Sequence, residues 1–277
     1  MRRYREKDTP SGFSLIWTTV KRVPRKIRFA TALKKGCPVK KIILVTVFVL
    51  VAQVSLMAQG ASAFNVFPQI ADGDVGNGSY YQTFVFATNV NAEPANCGVR
   101  LYGVPANRLN ASSPTGILPA LGSVGVWTTS GSLSPLATGY ATLACDRPVA
   151  AFAAYLYSSA AGVPISGTSV FSSPATMRAQ FVVIQQPGTR LGLAVANDTD
   201  TAGQYRVAVS DLLGQPVVAT TISVPARSNS PKYLDEIVVL QQSFLGTVVI
   251  TSLSGPFSVV GLSTVGSVLI GQPAAIY

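Results

Sequence analysis

The 277-residue chain contains no histidine. Imidazole activates most serine and cysteine nucleophiles and is the commonest zinc ligand, so those triads and ordinary zinc centres are excluded. Charge is also scarce, at 12% of residues with only 11 acidic side chains, and there are three cysteines and two tryptophans. Little remains from which to build a catalytic or metal-binding constellation. The expectation is therefore a protein that is not an enzyme, with no catalytic residue, no cofactor and no metal.

The charge that is present is unevenly placed. Residues 1–41 carry 13 basic groups and 2 acidic ones, a net of +11, whereas the rest holds 8 basic against 9 acidic. Binding to nucleic acid draws most of its affinity from phosphate neutralisation, and the body beyond residue 41 has no basic surplus to supply it. No nucleic-acid partner is expected.

The basic stretch is followed by an uncharged apolar run, Ile42 to Ala52, weaker apolar character to Met57, and the small-residue exit Ala61-Ser62-Ala63. These are the three parts of a secretory signal peptide. The rival reading is a retained anchor, but sixteen helical residues reach roughly 24 Å, short of the roughly 30 Å hydrocarbon layer. The sequence thus divides into a basic extension (1–41) and an apolar core with cleavage region (42–63), with cleavage between Ala63 and Phe64. A secreted, periplasmic or cell-surface location is expected, with membrane contact only through an uncleaved signal segment.

Export leaves Cys97 and Cys145 in the mature chain. In an oxidising compartment two cysteines are most simply one disulfide, the alternative being two buried thiols. Closing that loop stabilises by about 4 kcal/mol in the chain-entropy model.

From Phe64 onward, short stretches rich in Val, Thr, Tyr, Phe and Ala alternate with Gly, Pro, Asn, Asp and Ser clusters, the pattern of strands and turns. The chain also repeats itself. Thr83-Phe-Val-Phe-Ala-Thr88 ends at Asn89, and Leu191-Gly-Leu-Ala-Val-Ala196 ends at Asn197. Gly139-Tyr-Ala-Thr-Leu-Ala-Cys145 with Pro148 matches Gly246-Thr-Val-Val-Ile-Thr-Ser252 with Pro256. Each proline would interrupt ladder pairing and favour a bend or a strand switch between sheets. Period-2 alternation implies antiparallel strands with one face inward and one outward. The fold class read from this is all-β: two tandem antiparallel sandwich domains, 64–175 and 176–277, after an N-terminal apolar helix. Cys97 and Cys145 align with Tyr205 and Ser252, so the disulfide belongs to the first domain alone. Asp211-Leu-Leu-Gly214 reads as a hairpin turn, and Tyr233-Leu-Asp-Glu-Ile237 as one helical turn plugging the second domain.

The Phe-Pro-Gln-Ile-Ala-Asp-Gly opening at 67–73, the apolar strand ending in Asn, the Asp-Arg-Pro-Val turn at 146–149 and the Leu-Asp-Glu element at 234–236 resemble bacterial secreted proteins built from tandem immunoglobulin-like β-sandwich modules. The resemblance spans most of 64–277 and implies architecture; it brings no functional residue.

Few candidate sites stand out. Asp72-Gly-Asp74-Val-Gly-Asn77-Gly is similar to a calcium loop in composition, but the EF-hand spacing puts Gly76 at position 5, Asn77 at position 6 and Thr83 at position 12. Asp198 and Asp200 could form an acid–base pair only if burial separated their pKa values, and Asp235-Glu236 reads as surface charge. Aromatic residues are the better lead: Tyr80, Tyr81 and Trp127 form the candidate ligand surface, although alternating aromatics in strands commonly fill cores. The expectation is a structural, adhesive or protein-interaction module with an unidentified protein or glycan partner; the alternative is a carbohydrate- or calcium-dependent binding protein.

Overall fold

The computed structural model describes residues 60–110 and 115–276. The basic extension and the apolar run 42–57, on which the signal-peptide reading rests, lie outside the described residues. Ala63 and Phe64 do fall within them, just ahead of a buried stretch at 65–73.

The first half carries β1 (Ser62–Asp74), β2 (Tyr80–Asn89), β3 (Ala95–Tyr102), β4 (Thr115–Leu118), β5 (Ser123–Trp127), β6 (Ala137–Ser158) and β7 (Pro164–Phe171). The second carries β8 (Arg178–Gln185), β9 (Thr189–Asn197), β10 (Gly203–Asp211), β11 (Pro216–Val224), β12 (Ser228–Tyr233), the single helical turn α1 (Leu234–Ile237), β13 (Phe244–Ser252), β14 (Ser258–Val265), β15 (Val268–Gln272) and β16 (Ala275–Ile276). The chain is all-β, and the paired strands run antiparallel.

In the second half β11-β10-β13-β8-β16 form one sheet and β12-β9-β14-β15 another. Pro256 lies in the gap between β13 and β14, where the chain passes from one sheet to the other. In the first half β6 serves both purposes. Up to Cys145 it runs between β1 and β3; from Ala150 it runs between β2 and β7. Pro148, which cannot donate to a ladder, stands at the changeover. Each half closes around its own apolar cluster. Phe67, Val99, Ala141 and Leu143 meet Val85, Ala87, Ala153 and Val170 in the first. Phe181, Val207, Val248 and Ile250 meet Leu191, Leu193, Val195 and Val259 in the second.

Some strands depart from the one-face-inward expectation, β9 most clearly. On β9, Leu191, Leu193 and Val195 enter the second cluster, while Ala194 joins the first cluster together with Val260, and Ala196 packs with Val66 and Tyr140. A strand covered on both faces has no need of polar alternation, and Leu191–Ala196 contains no polar side chain. Gly192, Ala194 and Ala196 are small enough to let the first half approach closely.

Polar contacts then fix the halves together. Asn229 donates to Pro68 O at 2.9 Å, Gln69 Oε1 at 3.1 Å and Gly139 O at 2.8 Å. The connecting segment is stapled on both sides: Ser173 N donates to Val66 O at 2.8 Å, and Ser173 Oγ accepts from Val259 N at 3.0 Å.

Candidate functional site

The carboxylate candidates are occupied by structural duties. Asp74 Oδ1 accepts from Gly76 N and Gly78 N, both at 2.8 Å, and so shapes its own turn. Asp72 is fully buried with Arg108 Nη1 3.4 Å from its Oδ2. Asn77 Oδ1 accepts from Ser79 N. Asp74 and Asn77 therefore already serve the turn itself, Asp72 Oδ1 is buried without a hydrogen-bond partner, and among the described residues no three His, Cys, Asp or Glu side chains gather in a metal-sized group.

Asp198 and Asp200 share one cationic partner. Arg227 holds both, with Nη1 2.7 Å from Asp198 Oδ1 and Nε 2.9 Å from Asp200 Oδ1. The guanidinium keeps the Asp200 carboxyl below its usual range. Asp235 and Glu236 meet Arg190, which donates twice to Asp235, at 2.9 and 2.7 Å, and lies 3.7 Å above the Tyr233 ring. That arrangement anchors α1, whose Leu234 is buried in the second cluster.

Cys97 and Cys145 are bonded, and they stand directly opposite each other on β3 and β6, with Cα atoms 4.1 Å apart. The aligned positions in the second half, Tyr205 and Ser252, are likewise direct cross-strand partners. Tyr205 is instead fully buried and packs on Phe257, ring centroids 5.1 Å apart.

The three aromatic candidates separate in space. Tyr80, paired with Asp74 and Ser158, lies beside the loops at Gly131 and Gly162. Tyr81 lines a cleft of about 310 Å³ between the two halves, stacked on Tyr157 at 4.8 Å. Its companions there include Tyr155, Gln69, Tyr233, Lys232 and Glu236. Burial raises the Tyr81 hydroxyl pKa, with smaller contributions from Tyr233 and Tyr157. The Tyr155 hydroxyl, raised by burial, donates to Gln69 O at 2.8 Å and is thus committed to the first core. The walls of this cleft are mostly apolar, with a few polar groups converging on the space.

Trp127 belongs elsewhere, to the outward face of the first half. It pairs with Phe84 on β2, Phe86 pairs across to Phe152 on β6, and Phe152 pairs with Phe171 on β7. Directly opposed residues of an antiparallel pair share a face, so these five rings stand on one surface. Phe84 and Trp127 centroids are 6.2 Å apart, and Phe86 and Phe152 centroids 5.0 Å. Trp127 is 41% and Phe171 64% exposed. Phe86 lies over Gly125, where a Cβ would come within 2.9 Å of its ring. Sequence reasoning singled out only Trp127 of this group. Alternation could not say which parity of β2 points outward, and the expectation that strand aromatics fill cores pointed the wrong way for Phe84, Phe86 and Phe152.

No protein-family model matches the chain, and no curated protein matches it in sequence.

Proposed function

We propose that this is an exported, non-catalytic protein of the cell envelope or extracellular space, built from two copies of one β-sandwich module, which engages a partner through the outer face of its first module. The observation that carries the reading is the cluster Phe84, Phe86, Trp127, Phe152 and Phe171, five neighbouring rings on a sheet face with no charge among them. Exposed apolar patches of that kind mark interaction surfaces, and large rigid rings are the residues that dominate contact energies. The disulfide supports an oxidising location.

Duplication is supported by matching detail. The Asn89 side chain donates to Glu93 O, Leu118 O and Pro119 O; the Asn197 side chain donates to Thr201 O, Val224 O and Pro225 O. Two layers of short strands agree with immunoglobulin-like architecture. The first strand of each half nevertheless runs mainly along β6 or β13, β1 meeting β2 only at Gly73 and Asp74, so the kinship proposed is of architecture rather than of connectivity.

Fractionation with mass spectrometry tests the location: the protein is expected outside the cytoplasm with Phe64 as its first residue. Binding of the purified protein to isolated envelopes tests the surface, and Trp127→Ser with Phe171→Ser should weaken it about tenfold or more, as loss of two anchors would. Cytoplasmic retention of the intact chain, or undiminished binding by the folded double variant, would end the proposal.

A second reading has its own observation, the tyrosine-lined cleft. Tyr81 and Tyr233 with Lys232, Glu236 and Gln69 could stack on and hydrogen-bond a sugar ring. A glycan array separates the two: saturable binding lost in Tyr233→Ala supports the glycan, and a blank array removes it.

A further inference from the structure

β11 is a margin of the five-stranded sheet. It pairs with β10 on one side and, among the described residues, with no strand on the other. An open edge is a template for another strand, and proteins usually blunt it with charge, proline, a bulge or brevity. β11 runs for nine residues, Pro216-Val-Val-Ala-Thr-Thr-Ile-Ser-Val224, without a charge. Its proline and the nearby register shift both sit at one end. Val218 and Ile222 are only partly buried, at the open margin of the second apolar cluster. Next to the edge, the turn residues Leu212 and Leu213 are 68% and 84% exposed.

We propose that this edge pairs with the same edge of a second copy of the chain, joining two five-stranded sheets into one. Symmetry fixes the register. Two identical edges pair antiparallel, with both inner faces on the same side, through a two-fold axis normal to the sheet. Directly opposed residues then share a face, so the axis passes through a residue and not between two. Thr220 is the midpoint of β11 and gives full overlap. It sets Thr220 opposite Thr220, Val218 opposite Ile222, Ala219 opposite Thr221 and Val217 opposite Ser223. The inward pair covers the apolar side chains that one copy leaves half open, and no pair opposes like charges. An unrelated strand would gain no such matching from this sequence, and the edge offers no charge with which to select one.

The test uses the full chain. Light scattering should give twice the chain mass, and Thr221→Lys, at an exposed position, should halve it while leaving the circular dichroism spectrum unchanged. With Cys37→Ser removing the other free thiol, Thr220→Cys should cross-link to itself on mild oxidation, whereas Val217→Cys should not. If Thr220→Cys does not fold, the scattering pair decides alone. A monomer at the highest soluble concentration, a dimer indifferent to Thr221→Lys, or cross-linking as efficient through Val217→Cys would overturn the proposal.

Discussion

The Tyr140 hydroxyl donates to the Asp198 carboxylate at 2.7 Å, a bond that runs from β6 of the first half to the end of β9 in the second. Tyr140 is itself stacked on Tyr102 at 4.4 Å, nearly parallel, so the donor is held in place before the bond is made. Arg227 meets the same carboxylate oxygen from the other side. A motif that suggested paired acids in the sequence is thus a clasp between halves.

Tyr140→Phe keeps the stacked ring and removes one hydrogen bond to a charged acceptor. The expected loss is about 1.5–3 kcal/mol, or roughly 3–10 °C in Tm for a chain of this size. A double-mutant cycle with Asp198→Ala, which removes the acceptor, should show coupling of about 1 kcal/mol or more, because the two residues touch. Additive effects of the two substitutions would show that the bond contributes nothing.

Gly139 and Gly246 occupy equivalent crossings in the two halves. A Cβ on Gly139 would fall 1.9 Å from Tyr102 O, and one on Gly246 would fall 2.2 Å from Ser210 O. Both obstacles are backbone carbonyls and cannot swing aside. Gly139→Ala and Gly246→Ala should each cost more than about 4 kcal/mol, in the range of severe overpacking. Gly116, with no atom within 4 Å of its would-be Cβ, is the control. Gly116→Ala should stay within about 0.5 kcal/mol. Denaturant midpoints of the three variants decide the matter.

Those two glycines also show what made the matching spacings legible. A glycine at a close crossing and an asparagine at a strand end are each demanded by their own local geometry, so each shows in the sequence wherever that geometry occurs. The turn at Asp211–Gly214 was readable for the same reason: Asp211 Oδ1 accepts from Leu213 N and Gln215 N, and Gly214 supplies φ of +75°. Short strands were harder. β4 spans four residues in a stretch rich in Ser, Pro and Gly, too brief for periodicity to register. The cleft was not legible at all, since Gln69, Tyr81, Tyr155 and Tyr233 meet only after two halves dock, and no local pattern encodes docking.

Asn89 and Asn197 are nearly or fully buried, and each amide nitrogen serves three carbonyls while Oδ1 accepts from the backbone two residues on, Asn91 N at 2.9 Å and Thr199 N at 3.2 Å. Asn→Asp at either site removes the donors and turns an acceptor toward those carbonyls. The expected cost is about 3 kcal/mol at each site, since buried acceptors are left unpaired. Matching losses in thermal melts of Asn89→Asp and Asn197→Asp would mark the two corners as one device used twice. A neutral substitution at either would break the equivalence.

Alkaline stability follows from the tyrosines. Burial raises the hydroxyl pKa of Tyr81, Tyr155 and Tyr205, and burial together with the Asp198 bond raises that of Tyr140. In the unfolded chain each phenol titrates at about 10. Above that pH the unfolded chain releases protons that the folded chain retains, so it binds fewer, and stability falls as pH rises. Below it both states are neutral and these groups contribute no slope. Melting temperature should therefore be insensitive to these tyrosines up to about pH 10 and decline beyond. Tyr155→Phe, lowering stability at neutral pH through the lost bond to Gln69, should also shallow that decline, because one of the responding groups is gone. A melting profile flat to about pH 12, well past the unfolded phenol pKa, or a decline of equal steepness in the variant, would contradict the assignment.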